Sequence, residues 1–183
     1  MHVTYATATT ANGFLATLDD SLAWLFAVTG DTPDLDALYA AADAVVMGSH
    51  TYEWLLRDRT LNDDPDGWTS AFGDTPVVVF TTRALRVPDG ADVRFLSGPV
   101  TDNITALRGI SGDGTVWVQG GGDLAGQFLD ADLLDDVTLH ISPAFLSEGK
   151  PLFPRNLASD RMTLVDVRRT GQFIEATWQV RNG

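Results

Sequence analysis

Three short segments carry the residue types that grip a phosphorylated ligand. Gly48-Ser49-His50-Thr51 leads out of an apolar run, Ala44 to Met47, into helical spacing. Unpaired backbone N–H groups at such a junction, with the Thr51 hydroxyl beside them, make an anion site. Thr81-Thr82-Arg83 follows Val77 to Phe80. Two hydroxyls and a guanidinium in a row are a donor set for phosphate. Gly120-Gly121-Gly122 joins Val116-Trp117-Val118 to a helical stretch starting at Leu124. Residues without side chains let a pyrophosphate come close to the backbone.

All three segments need the same support, a strand that ends where they begin. Val3 to Thr10 reads as a first strand. Ala44 to Met47 and Val77 to Phe80 are continuous apolar runs of the kind buried on both sheet faces. Val93 to Leu96, Val116 to Val118 and Val137 to Ile141 add further strands. Met162 to Arg168 and Phe173 to Val180, joined at Thr170-Gly171, read as an antiparallel hairpin. Helices are expected over Leu22 to Val28, from a start at Thr32-Pro33-Asp34 with Thr32 as cap, and over Thr51 to about Arg57. Two more are expected around Ile104 and Leu107 and from Leu124 to Leu129. Residues 58 to 75 read as a polar surface loop anchored by Trp68 and Phe72. Strands alternating with helices predict an α/β fold with a mainly parallel sheet covered on both faces and an antiparallel edge. Ligands of such sheets collect at the carboxyl ends of the strands, which is where the three segments lie. One domain over 1–183 is expected.

Composition narrows the function. The 183 residues carry 22 Asp and 3 Glu against 11 Arg and one Lys, for a net charge of −13. A surface so acidic repels nucleic acid and anionic membranes. There is no cysteine, which removes disulfides, a thiolate nucleophile and Cys-ligated metal sites. No apolar run reaches the length of a membrane span, and Met1-His2-Val3-Thr4 lacks a signal-peptide pattern, so a cytoplasmic protein is expected. His2, His50 and His140 show no metal spacing, and His140 within a strand reads as a structural residue. No serine sits in a nucleophile elbow, and no P-loop or G-x-G-x-x-G motif is present.

Taken together, the segments resemble the dihydrofolate reductase superfamily, with the closer likeness to the reductase domain of the bifunctional riboflavin-biosynthesis deaminase-reductase. The likeness rests on Val46 to Glu53, on Val79 to Leu85, and on Gly120-Gly121-Gly122 with Gln127-Phe128-Leu129. Ile141-Ser142-Pro143 followed by Gly149 to Phe153 completes it. It implies a three-layer dihydrofolate-reductase-like fold and an NADPH-dependent reductase acting on a pteridine, pyrimidine or similar small heterocycle. By analogy, Gly48, Ser49, His50 and Thr51 receive the cofactor phosphates, and Thr81, Thr82 and Arg83 hold the 2′-phosphate. Gly120, Gly121, Gly122 and Leu124 line the pyrophosphate and nicotinamide ribose. A cis peptide is implied at Gly120-Gly121, and pairing into a homodimer is implied as well. Phe145, Leu146, Leu152 and Phe153 pack either into the core or against a second copy.

The departures are informative. Ser49 stands where the family has arginine, which leaves the choice between NADPH and NADH open. Asp123 either caps its helix facing away or repels the pyrophosphate. The acid that holds folate falls on Ser21, one residue after Asp20, a turn of about 100° at a helix start. Leu139 takes the place of the threonine partner, so authentic dihydrofolate reductase is disfavoured. Asp20 or water would supply the proton. The rival reading is a catalytically silent nucleotide-binding module on the same fold.

Overall fold

A computed structural model describes residues 1–58, 61 and 66–181. Among the described residues, ten strands and six α-helices are interspersed along the chain. The first strand, β1 (His2–Thr10), is the centre of an eight-stranded sheet. Parallel partners flank it: β6 (Thr115–Gly120) pairs Val118 with Tyr5, and β7 (Asp136–Ser142) pairs Val137 with the same Tyr5. Beyond β6 lie β3 (Ala44–Gly48), β4 (Val77–Phe80) and β5 (Val93–Leu96), also parallel. Beyond β7 the direction reverses at β10 (Phe173–Val180) and again at β9 (Met162–Thr170). The sheet thus has the expected parallel body and antiparallel edge.

Side-chain alternation explains why both faces are covered. Val46, Val78, Val116 and Val118 point into one apolar core, closed by Leu107 of α5 (Val100–Ser111) and Phe128 of α6 (Gly122–Asp130). Their sequence neighbours Val45, Met47, Val77, Val79 and Trp117 point into the other. That second core is closed by Tyr52, Leu55 and Leu56 of α3 (Ser49–Asp58) and by Trp68 and Phe72 of α4 (Gly67–Phe72). Each fully buried aliphatic side chain of this kind contributes about 1.5–3 kcal/mol. These runs are apolar without alternation because each residue meets a core whichever way it points.

Several local expectations need correction. The segment read as a loop over 58–75 contains α4, whose Trp68 and Phe72 rings stack at 4.4 Å; its residues 59, 60 and 62–65 lie outside the described residues. The helix after Thr32 is α2 (Leu35–Ala41), and its cap is Asp34, not Thr32, because the Asp34 carboxylate accepts the Ala37 N–H at 3.0 Å. A carboxylate reaching a first-turn amide also suits the helix dipole. Helix α1 is only Ala23–Phe26, with no buried residue. Its apolar side chains line a cleft rather than a core. Leu152 and Phe153 pack against the first core, whereas Phe145 is 76% exposed.

An unforeseen two-stranded sheet joins β2 (Phe14–Ala16) to β8 (Lys150–Pro151). It draws the chain after β1 against the loop after β7. Tyr5 fixes that loop from below, donating its hydroxyl to the Leu152 carbonyl at 2.9 Å. Among the described residues, no helix is long and apolar enough to cross a membrane.

Candidate functional site

The glycine turn and the start of α3 meet at the carboxyl end of the sheet. A Cβ on Gly48 would lie 4.0 Å from the Gly121 nitrogen, and one on Gly120 would lie 2.9 Å from Thr51 Oγ1. A Cβ on Gly122 would overlap the carbonyl oxygens of Pro151 and Leu152. Gly121 faces open space within 4 Å. The Gly120-Gly121 peptide is cis. Two helix N-termini, α3 and α6, therefore converge beside a bare stretch of backbone. The leading N–H groups of each have no partner within their own helix, and both dipoles are positive here. The arrangement fits a pyrophosphate.

Thr81, Thr82 and Arg83 follow β4, whose Phe80 pairs with Gly48 in the ladder. They share the sheet end but do not line the cleft. Thr81 Oγ1 accepts the Arg83 N–H at 3.0 Å and closes the turn. Tyr52 tethers the same connection to α3 by donating to the Arg86 carbonyl at 2.7 Å. Burial pushes the Tyr52 phenol up to about 12 against the lowering charge of Arg86, so it stays a donor. The Arg83 guanidinium is held in a fork by Glu53, at 2.6 and 3.1 Å. The sequence leaves Arg83 available for phosphate; in the fold, one helical turn past the anion site, an acid already holds it.

Below the glycine turn opens a cleft of about 450 Å³. Its floor is the sheet face carrying Ala6, Ala8, Trp117 and His140, where two alanines leave room above the strands. Trp24, Phe26 and Trp54 form an aromatic wall, with the Phe26 and Trp54 rings stacked at 6.2 Å. His50, Thr51, Gly120, Gly121 and Gly122 lie on its rim. The Leu124 side chain is buried in the core instead. Gly48 and Ser49 are half-buried and lie outside the lining. Asp123 is on the rim, but Arg155 holds its carboxylate at 3.0 Å and so counters the repulsion expected at the turn. Asp20 lies at the mouth with a left-handed φ of 64° and is 3.6 Å from Lys150 Nζ.

The floor and wall also hold buried polar groups, among them His140, which the sequence alone presents as a structural residue. Trp24 Nε1, Gln119 Oε1 and both ring nitrogens of His140 are buried and make no hydrogen bond within the protein. Gln119 is oriented by donating its amide to the Tyr39 hydroxyl at 2.8 Å. His140 is 4% exposed, with Nδ1 at 3.2 Å from Glu175 Oε2. Burial, together with the Arg168 charge, lowers the His140 pKa, although Glu175 pulls the other way. Burial alone would raise the Glu175 pKa. Hydrogen bonds from Arg168 and Thr170, with the charges of Arg168 and His140, outweigh that and lower it. One sequence signal was available. Glu175 is one of three glutamates in the chain and sits two residues after Phe173, on the same strand face.

The RibD C-terminal domain model matches residues 1–175. The chain belongs to this family. Bacillus subtilis has a relative of it, the uncharacterized protein YwjB, 26% identical over 170 residues that cover 92% of this chain and 91% of that one. Among solved structures, a protein assigned to riboflavin biosynthesis from Shewanella sp. PV-4 superposes with a TM-score of 0.78 at 24% identity, covering 99% of both chains. A diaminohydroxyphosphoribosylaminopyrimidine deaminase/5-amino-6-(5-phosphoribosylamino)uracil reductase from Thermotoga maritima gives 0.64 at 17% identity, covering 98% of this chain and 56% of that one. At these identities the structural likeness speaks for the fold. The RibD C-terminal fold carries the likeness to the riboflavin-type reductases that the four motifs predicted.

Proposed function

We propose that this RibD C-terminal domain protein is a pyridine-nucleotide-dependent reductase of a small heterocycle, with NADPH as the expected cofactor. The observation that carries the reading is the convergence of two helix N-termini and a bare glycine turn on the rim of an aromatic cleft. The N–H groups at the starts of α3 and α6 would bind the phosphates. Gly121, open to the cleft, would let a nicotinamide ring reach the floor. When bound, that ring supplies a hydride. Trp24, Phe26, Trp54 and Trp117 would clamp a flat substrate and exclude water, orienting it for the transfer. Gln119 would read its edge with the buried amide oxygen, and Trp24 with the indole N–H.

A specific observation favours the silent-module reading as the second choice: Glu53 occupies the guanidinium expected to grip the 2′-phosphate. One experiment separates the two. NADPH oxidation is followed by absorbance against a panel of pteridines and pyrimidines, alongside a binding titration. Turnover of any member supports the reductase. Tight NADPH binding without turnover supports the module, and failure to bind either nucleotide overturns both. Pairing of two copies is part of the proposal, since Val165, Val167 and Ile174 on the outer strands are all more than half exposed. Light scattering would then give twice the chain mass of 19.7 kDa.

A further inference from the structure

One row of residues crosses four strands from the cleft to solvent. Ala8 of β1 pairs with His140 of β7, His140 with Glu175 of β10, and Glu175 with Arg168 of β9. Residues paired across a ladder project to the same face, so the four side chains stand side by side. Ala8 is reduced to a methyl group, so His140, though only 4% exposed, borders the cleft beside it. On the other side, His140 Nδ1 lies 3.2 Å from the buried Glu175 carboxylate. That carboxylate is held by the Thr170 hydroxyl and, at 3.1 Å, by Arg168, whose side chain is 63% exposed. No hydrogen bond within the protein satisfies either imidazole nitrogen. Nδ1 is the nitrogen beside Glu175, so Nε2, equally buried and unpartnered, is the one left to meet a ligand packed onto the cleft floor.

We infer that His140 is the group that protonates the heterocycle, with Glu175 as its positioning residue. This rests on the reductase reading above. Reduction of a ring C=N bond places a hydride on carbon and leaves an electron pair on nitrogen. That nitrogen forms an N–H bond with the proton on His140 Nε2; the breaking N–H bond leaves its pair on the imidazole. Both electrons arrive with the hydride from the dihydronicotinamide, which is oxidised. Once the product leaves, the imidazole regains its proton from water that enters the cleft. Glu175 keeps the ring in one orientation and stabilises the imidazolium in the protonated state. Arg168 keeps Glu175 ionised. Asp20 is the weaker candidate, because it stands at the mouth beside Lys150 rather than on the floor. The other ionisable side chains of the cleft are those of His50 on α3, Asp123 on α6 and the Asp20–Lys150 pair. Beyond the cleft side, Glu175 and Arg168 face His140 from β10 and β9.

The test uses the full chain labelled with ¹⁵N-histidine. Only three histidines are present, so His140→Gln assigns the resonance. Pteridine-2,4-dione, uracil and 4-aminopyrimidine are titrated as probes without nucleotide. The expected result is a shift of the His140 ring signals and a raised titration midpoint with at least one probe. Glu175→Gln abolishes the rise. His140 signals unmoved by every probe at millimolar concentration overturn the inference; should His140→Gln fail to fold, His2→Gln and His50→Gln, both at exposed positions, assign the signal by elimination. In the reaction, kcat rises about tenfold per pH unit towards acid above the His140 pKa. His140→Gln flattens that slope while KM changes less than threefold; a slope retained in His140→Gln also overturns it. Loss of NADPH binding in the wild type would instead strike the reductase reading, leaving the probe response of His140 to stand or fall separately.

Discussion

The two ends of the cleft are built in opposite ways. The rim is made of backbone: His50 and Thr51 at the start of α3 and Gly120 to Gly122 at the start of α6, each motif contiguous in the chain. The floor rests on side chains: His140 and, behind it, Glu175 and Arg168 come from three strands, and only the pairing register makes them neighbours. The rim is therefore intolerant of added atoms, and the floor is intolerant of altered charge. Stability and binding should respond differently to changes at each end.

The largest effect is expected at the rim. Gly122→Val would drive a side chain into the Pro151 and Leu152 carbonyls, which are backbone and cannot swing aside. It should cost about 3 kcal/mol or more, read by urea unfolding, and should abolish nucleotide binding. A loss below 1 kcal/mol would mean that the β2–β8 cover yields easily, and the contrast between the ends would fail.

At the floor, Glu175→Ala removes the carboxylate but leaves Arg168 half in water, where it is readily resolvated. A cost of about 1–2 kcal/mol is expected, below that of the glycine change. A cost above that of Gly122→Val would reverse the comparison. Recovery of stability, but not of the His140 probe response, in Glu175→Gln would sharpen it.

Acid should weaken the floor selectively. The Glu175 pKa is lowered below its ordinary 4.5 in the fold, so its stabilisation is present at neutral pH and is lost as pH falls through the lowered value. The His140 pKa is lowered below 6.5, so the unfolded chain takes up that proton first. Stability should therefore begin to fall below pH 6.5. His140→Gln should flatten the decline between that pH and the carboxylate range, leaving the lower limb unchanged. Chemical denaturation at a series of pH values reads both.

The smallest change in stability is expected outside the cleft. The Arg83–Glu53 pair is 48% and 37% exposed, so Arg83→Ala should cost about 0.5 kcal/mol. Its informative readout is affinity. If the guanidinium leaves Glu53 for the 2′-phosphate, NADPH binding weakens while NADH binding barely moves; equal changes for both would confine Arg83 to holding α3. Glu53→Gln should then strengthen NADPH binding.

Much of the rim was legible because its information is local. A glycine after an apolar run, a hydroxyl three residues on, and a helical spacing behind them specify a helix start wherever the strand lies. The same holds for the buried strands, whose unbroken valines already imply a core on each face. Reading failed where side chains act at a distance. The Asp34 cap was misplaced by two residues because the Thr32 hydroxyl and the Asp34 carboxylate are both competent caps and only the backbone path selects between them. The apolar residues of α1 look like core and instead form the wall of a cleft. Arg83 looks available until the fold brings Glu53 to it.

The sequence by itself determined the layering of this protein and the identity of the three strand-end turns, because alternation and turn chemistry act between near neighbours. Tertiary structure alone decided that His140 stands on the floor of a cleft with Glu175 behind it. A one-residue slip of the β7–β10 register would send that glutamate to the opposite face, and no local preference in either strand forbids it. The packing of Phe173 and Ala176 does.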